Sequence, residues 1–348
     1  MKTTVRCLLC VLCAAMIIAL PFVIPSPDML DEVKWSILDE IEETEETDED
    51  EESDLLSFLF PAAYADELLI EEEEIIEDAE EKAPLTEGVY TLPMDETVPP
   101  APDPACFTEN GYEDETIRVR IEHFERDESR YHTVWIEIAD ASQFRTAVSG
   151  RNNAKVTTMA EKNNAVIAMN GDYFKDNESA KTFEYRMGKK YNKGKGNKLR
   201  DTLIIDDKGD FHIFTAGSKP EDFEGTLVNA FTFGPVLVNE GETVPIPKDY
   251  KYSPNGHEAR SAIGQTGHLQ YVFVVVERKA GSKGVTMAQL GEYMKELGCV
   301  TAYNLDGGNT AQIVINGQEY FGDTTADARS QSDIIYFATA VPEDARKE

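Results

Sequence analysis

Apolar and polar positions in residues 106–348 follow two periods. In 117–121, Ile117, Val119 and Ile121 alternate with Arg118 and Arg120, the period of two of a half-buried strand. Residues 133–139 repeat it with Val134, Ile136 and Ile138, so the two segments predict a hairpin joined through the polar residues 125–130. A short helix is predicted over 157–163, stopped at Asn163-Asn164. The apolar run Ala165-Val166-Ile167-Ala168-Met169 then predicts a buried strand ending at Asn170-Gly171-Asp172. The polar, lysine-rich stretch 175–197 predicts a long loop. Residues 203–206 and 211–215 flank Asp207-Lys208-Gly209-Asp210 as a second hairpin. Residues 227–233 lead through Gly234-Pro235 into a strand at 236–238, and after 257–264 a hairpin turn at Gln265-Thr266-Gly267 enters 269–276, the strongest strand signal of the chain. A helix over 286–297 follows. Thr286 and Gln289 have capping-box spacing, Leu290, Tyr293, Met294 and Leu297 form its apolar stripe, and Gly298 stops it. A last apolar strand runs into Tyr303-Asn304-Leu305-Asp306-Gly307-Gly308.

The strand, helix, strand order of 269–305 predicts an α+β or mixed α/β domain: a central mixed β-sheet with packed helices. It also sets the Asp-Gly-Gly turn at the carboxyl end of a strand, where ligands gather in open α/β sheets. The turn after the 165–169 strand has the same approach of helix, stop, strand and Asn/Asp-Gly turn. If the two strands are neighbours, both turns open on one edge.

Charge divides the chain. Residues 1–104 hold 29 acids and 4 bases, and residues 105–348 hold 37 acids and 29 bases. The acidity therefore belongs to the first third, and neither part has the basic footprint of a nucleic-acid binder. Cys7 to Ile24 is an uncharged run of 18 residues, with Lys2 and Arg6 before it and Asp28, Asp31 and Glu32 after it. Such a run predicts a transmembrane anchor or an uncleaved signal over 1–27, with the rest outside the cytoplasm at the cell surface. Residues 28–105, acidic and then Pro-rich, read as a spacer, and 106–348 as the globular domain. Cys106 and Cys299 lie outside the apolar run and leave one disulfide open as a possibility. No Cys/His spacing resembles a metal site, and no cofactor is expected. Oligomeric state has no sequence signal.

Asp306 stands on a Gly-Gly turn, and Gly307 and Gly308 let a ligand approach the backbone closely; their N–H groups can also form an anion-binding turn. A turn-capping role for the same Asp is the alternative. Asp172 has the same two readings. Arg260 has the fork that matches phosphate oxygens. Asn170 can bond a sugar hydroxyl or brace its loop, and Tyr173 can stack on a sugar ring or join the core. His257 is a further acid candidate.

Four motifs, Asn170-Gly171-Asp172-Tyr173-Phe174, Phe233-Gly234-Pro235, Arg260-Ser261-Ala262-Ile263-Gly264 and Asn304-Leu305-Asp306-Gly307-Gly308, stand in the order and approximate spacing of the phosphodiester glycosidase family, which the domain resembles. The resemblance implies hydrolysis of a sugar joined through its anomeric carbon to a phosphodiester, in extracytoplasmic or cell-envelope glycans of the exopolysaccharide kind, with a sugar phosphate as partner. It makes Asp306, Asp172 and Arg260 the catalytic candidates. Asp306 would act as nucleophile, base or charge stabiliser at an oxocarbenium-like centre. Asn170, Gly171, Tyr173, Gly234, Gly307, Gly308, Asn309, Thr310 and Arg329 become substrate-binding candidates, Arg329 by matching an arginine before the family's last strand. Asn309-Thr310 stand where the family commonly has Gly-Ser, which bears on substrate identity. The alternative is a non-catalytic glycan-binding or exopolysaccharide-assembly module of the same fold.

Overall fold

The alternation at 117–121 and 133–139 becomes one long hairpin, Ile117–Arg126 against Ser129–Ile138, in a computed structural model that describes residues 85–172, 183–191, 200–248, 250–322 and 328–346. Pairing continues to Arg126 and Ser129, and the turn shrinks to Asp127 and Glu128, with φ of 52° and 59°. Two central residues at positive φ give a turn whose twist matches its strands. The residues 125–130 read as turn because they are polar, and backbone pairing between polar residues carries no side-chain signature.

This hairpin belongs to a nine-stranded sheet. Ser129–Ile138 pairs with Gln270–Val276, then come Arg260–Gly267, Thr301–Asn304 and Val236–Asn239. A five-stranded sheet has the order Gln318–Gly322, Gln312–Ile315, Ile167–Asn170, Asp333–Phe337, Phe144–Val148. A second five-stranded sheet contains Thr202–Asp206, Leu227–Phe231 and Tyr185–Arg186. The pairings within these sheets are antiparallel.

The strand period of two sorts side chains between layers. Phe273 and Val275 share one core with Ile167, Met169, Ile335 and Phe337, so two sheets face each other. Their alternate residues face outward onto helices. Ala168, Ile334 and Tyr336 pack on α1, Val156–Lys162. Val272, Val274 and Ala262 pack on α2, Met287–Glu296, through Met287, Leu290 and Met294. The capping box of α2 forms as expected: Thr286 accepts from the Gln289 N–H, and the Gln289 side chain accepts from the Thr286 N–H.

The α+β expectation is therefore corrected. The domain is mostly β-sheet, with antiparallel sheets face to face and two described α-helices. The strand, helix, strand reading of 269–305 holds locally, but Gln270–Val276 and Thr301–Asn304 both pair with Arg260–Gly267 between them. The hairpin of that intervening strand with Gln270–Val276 follows the turn expected at 265–267, but its pairing with Thr301–Asn304 on the other side is written in no local periodicity. The expected transmembrane anchor finds no support in the described residues, among which no helix is long and apolar enough to cross a membrane. The run at 7–24 and the acidic stretch up to residue 84 lie outside the described residues. Cys106 and Cys299 are both free thiols.

Arg145 is the main tie of residues 92–97 to the domain, beside Ser142, whose Oγ accepts from the Leu92 N–H (2.8 Å), and Lys189 and Tyr191, which bond Glu96. Arg145 is buried and donates to the carbonyls of Pro93 (2.9 Å), Asp95 (2.7 Å), Thr97 (2.7 Å) and Ser142 (3.0 Å), and to the Tyr336 hydroxyl (3.2 Å). A guanidinium carries several N–H donors and can tie several loop carbonyls at once. Arg145→Ala is expected to lower stability by about 3 kcal/mol, since the bonds of a buried guanidinium are lost together. It should also open 92–97 to proteolysis; a urea midpoint and cleavage pattern like those of the wild type would overturn this.

Candidate active site

The strands Ile167–Asn170 and Thr301–Asn304 are not neighbours but lie in different sheets, and the turns after them meet across the sandwich. Asn170, fully buried, donates from Nδ2 to the Asp306 carbonyl (2.7 Å) and to Ser261 Oγ (3.2 Å), and accepts from the Gln312 N–H (3.2 Å) at Oδ1. Ser261 Oγ donates to the same Asp306 carbonyl (2.7 Å). Of the two readings of Asn170, these bonds are those of a brace under the Asp-Gly-Gly turn.

With its backbone held from below, Asp306 presents its carboxylate to a cavity of about 330 Å³ lined by Phe233, Tyr250, Tyr252, Arg260, Asn304 and Gly307, among others. Asp306 is 8% exposed. Burial pushes its carboxyl up to about 6, against the downward pull of the Arg329 guanidinium and a hydrogen bond from Thr310, while the charge of Asp172 adds to the rise. Arg329 bonds the carboxylate directly through Nη2, and its backbone N–H donates to the Asn309 carbonyl (3.0 Å). The Arg329 side chain is 42% exposed, so the pair sits at the mouth of the cavity. Asn309 is exposed beside it.

Gly307 has no room for a side chain, since a Cβ there would stand 2.6 Å from the Ala259 carbonyl oxygen. Gly308 lies at φ 63°, and its N–H donates to that carbonyl (2.9 Å). This bond takes up one of the two N–H groups expected to face an anion. Thr310, buried, closes the turn by donating to the Gly307 carbonyl (2.6 Å).

Arg260 reaches the cavity wall, but its donors are spent on backbone. Nε donates to Val285 O (3.2 Å), Nη1 to Tyr252 O (3.4 Å), and Nη2 to Ser253 O (2.7 Å) and Gly256 O (2.9 Å). Burial lowers its pKa from the usual arginine value. It supplies fixed positive charge and holds the 252–256 loop, rather than opening its fork to a ligand. Gly234, at φ 65°, turns its carbonyl toward Asn304 Nδ2 (2.7 Å) and the Tyr250 hydroxyl. His257 bonds the Gly284 carbonyl (2.9 Å) and does not line the cavity.

Asp172 is drawn into a buried charge cluster behind the turn. Its Oδ1 meets Arg186 Nη2 (2.8 Å) and its Oδ2 accepts from the Thr232 N–H (3.0 Å). Arg186 also meets Asp333 (2.7 Å) and Glu184 (3.5 Å), and its guanidinium lies 3.9 Å from the centre of the Phe231 ring. A Cβ on Gly171 would collide with the Asp333 carboxylate, so glycine alone fits there. Among the described residues no group of His, Cys, Asp and Glu is arranged to hold a metal ion; these three carboxylates converge on Arg186 instead. Tyr173 lies outside the described residues.

Sequence reasoning missed Arg186, Glu184, Tyr250, Tyr252 and Arg200. A signal for the first two is the alternation Phe183, Tyr185, Met187 inside a stretch that reads as a loop. Its Tyr185–Arg186 strand pairs with Leu227–Phe231. The pair Tyr250 and Tyr252, just before Pro254, was the signal for the aromatic wall.

The sequence profile of the phosphodiester glycosidase family matches residues 163–338. The SPbeta prophage-derived uncharacterized protein YomE of Bacillus subtilis (strain 168) is 24% identical over 174 residues, 48% of this chain and 27% of that protein. The chain thus spans about a quarter of the length of that relative. Among solved structures, the zebrafish N-acetylglucosamine-1-phosphodiester alpha-N-acetylglucosaminidase catalytic domain, auto-inhibited by its pro-peptide, aligns with a TM-score of 0.53 and 18% identity, over 64% of this chain and 83% of that one. A hypothetical protein from Synechocystis aligns with a TM-score of 0.44 and 13% identity, over 64% and 62%. At such identities the likeness is one of fold. The family profile, however, spans more than half of the 348 residues and contains all four motifs, so the chain belongs to the phosphodiester glycosidase family.

Proposed function

We propose that the protein hydrolyses sugar-1-phosphodiester linkages of extracytoplasmic or cell-envelope glycans, with Asp306 at the reacting sugar. The observation that carries this reading is a buried carboxylate, its pKa raised to about 6, bonded to Arg329 at the mouth of a cavity of about 330 Å³. Family membership supports the reaction class. The uncharged run at 7–24, with bases before and acids after it, supports a place of action outside the cytoplasm.

In the reaction, water's oxygen replaces the phosphate oxygen at the anomeric carbon. The electron pair of the broken C–O bond leaves with the phosphate monoester, which is stable as an anion and needs little protonation. The demand falls on the sugar side, where positive charge develops and an ionised Asp306 stabilises it or takes the proton of the attacking water. The charge of Arg329 favours the phosphate as it leaves.

The test is an assay of the full chain on methyl phosphodiesters of N-acetylglucosamine 1-phosphate and glucose 1-phosphate across pH. Because Asp306 must be ionised, kcat/KM is expected to rise about tenfold per pH unit below 6 and to level off above it. A profile flat from pH 4 to 8 would remove Asp306 from the chemistry. Glycan binding without turnover on either ester would favour the non-catalytic module.

A further inference from the structure

The cavity has an aromatic wall that no step above uses. Tyr252 is 41% exposed, unusual for so large a ring, and lines the same cavity as Asp306. Phe233 stacks on one of its faces, with ring centres 5.2 Å apart and planes 22° apart. The Arg200 guanidinium lies 4.8 Å from the centre of Tyr252 and 5.8 Å from that of Phe233. The Tyr250 ring also packs against Tyr252, with centres 5.6 Å apart and planes 68° apart, and Tyr252 still keeps 41% of its surface exposed.

The ring is also held in place. Arg200 Nη2 donates to the Tyr252 hydroxyl (3.3 Å) and Nη1 to the Phe233 carbonyl (2.8 Å). Arg260 ties down the carbonyls of Tyr252, Ser253 and Gly256. An aromatic ring fixed from both its hydroxyl and its backbone, and partly exposed on a cavity, loses little conformational freedom when a ligand stacks on it. The C–H face of a pyranose is the chemistry that such a surface takes.

We infer that Tyr252 is the platform on which the sugar ring stacks in the Asp306 cavity, and that Arg260 is a positioning residue that holds the platform loop. This rests on the hydrolytic reading of the cavity and gives it a ring-binding surface. The platform contributes in the ground state and the transition state alike, so it sets KM more than kcat.

The experiment compares the full chain with Tyr252→Ala and Tyr252→Phe on the methyl phosphodiester of N-acetylglucosamine 1-phosphate. Tyr252→Ala should raise KM about tenfold with kcat within about threefold, and Tyr252→Phe, which keeps the ring, should stay within about threefold of wild type in both. Arg260→Ala should raise KM in the same way and add nothing to Tyr252→Ala, since both remove one platform. A fall in kcat alone would place Arg260 at the reacting phosphate instead. Turnover by wild type with KM unchanged in Tyr252→Ala would overturn the platform and leave the hydrolytic function standing. If wild type shows no turnover, saturation-transfer NMR of the same ester decides. Magnetisation transfer to the sugar protons in wild type that disappears in Tyr252→Ala supports the platform although hydrolysis fails. Transfer that persists in Tyr252→Ala, or that wild type does not show, overturns it.

Discussion

Asp306→Asn is expected to lower kcat by about a thousandfold or more, the scale of losing the charge that stabilises an oxocarbenium-like centre. KM should move little, because the amide keeps the shape of the carboxyl. The same substitution is expected to raise stability at alkaline pH. The folded pKa of Asp306 is raised, from 3.8 to about 6, chiefly by burial. A group raised in this way contributes stability below its unfolded value and loses it as pH rises through the folded value. At pH 8 the ionised carboxylate thus costs at most about 3 kcal/mol. Asparagine removes that cost, and the value of about 6 already includes the pull of Arg329. The net gain at pH 8 should therefore approach about 2–3 kcal/mol and should vanish near pH 4. Urea midpoints of both proteins at pH 4 and 8, beside the assay, check this. Activity retained in the variant would sink the site, and a variant less stable at pH 8 would mean that the Arg329 pair outweighs burial.

The reading of Asp306 and the fate of Arg186 mark where sequence stops being informative. Asp306 was legible because three local signals agreed: an apolar strand, a capped helix before it and two glycines after it. Elements of that kind are written in neighbouring residues, as are the 117–121 alternation and the capping box of α2. Strand partners are not. Arg260–Gly267 separates the two strands of the local strand, helix, strand unit; its hairpin with Gln270–Val276 is local, but its pairing with Thr301–Asn304 is long-range and no window contains it. Roles of long polar side chains are equally hidden. Arg260 read as a phosphate clamp because its fork fits phosphate, and the structure directs that fork to carbonyls of its own loop. Asn170 could bond a sugar or brace a turn, and only the position of the Asp306 carbonyl separates the two. Residues 93–97 looked like linker because they lie in a stretch dense in proline, and no local signal shows that their carbonyls meet Arg145.

Arg186→Met should be the most destabilising single change in the domain. Arg186 is fully buried, and its guanidinium is shared by Asp172, Asp333 and Glu184, with further bonds to the carbonyls of Tyr185 and Ala230. Burial alone would lower its pKa, but the three carboxylates raise it above the usual arginine range, so its charge is secure. The acids are less so. Burial pushes Asp333 up to about 7 and Glu184 well above the usual carboxylate range, each helped by the charge of Asp172 and opposed by Arg186. Asp333 Oδ1 has no donor among the described residues, which a protonated carboxyl tolerates better than an anion. Methionine fills much of the volume but leaves three carboxyls with no cation, and breaking a buried pair from one side costs about 3–5 kcal/mol. The pH dependence separates this cause from lost packing. Both raised acids favour folding below their unfolded pKa values and lose that contribution as pH rises through their folded ones, and without Arg186 those folded values climb further. The cost of Arg186→Met should therefore be about 4 kcal/mol at pH 8 and fall by roughly half at pH 5, where the acids take up protons. Urea unfolding of both proteins at the two pH values measures it. A loss equal at both would make packing against Phe231, rather than charge, the role of Arg186. Because Asp172 and the Asp306 turn are braced from this cluster through Gly171 and Asn170, activity of the surviving folded variant should fall as well, and Arg186→Lys should restore stability better than activity, since one ammonium cannot span three carboxylates.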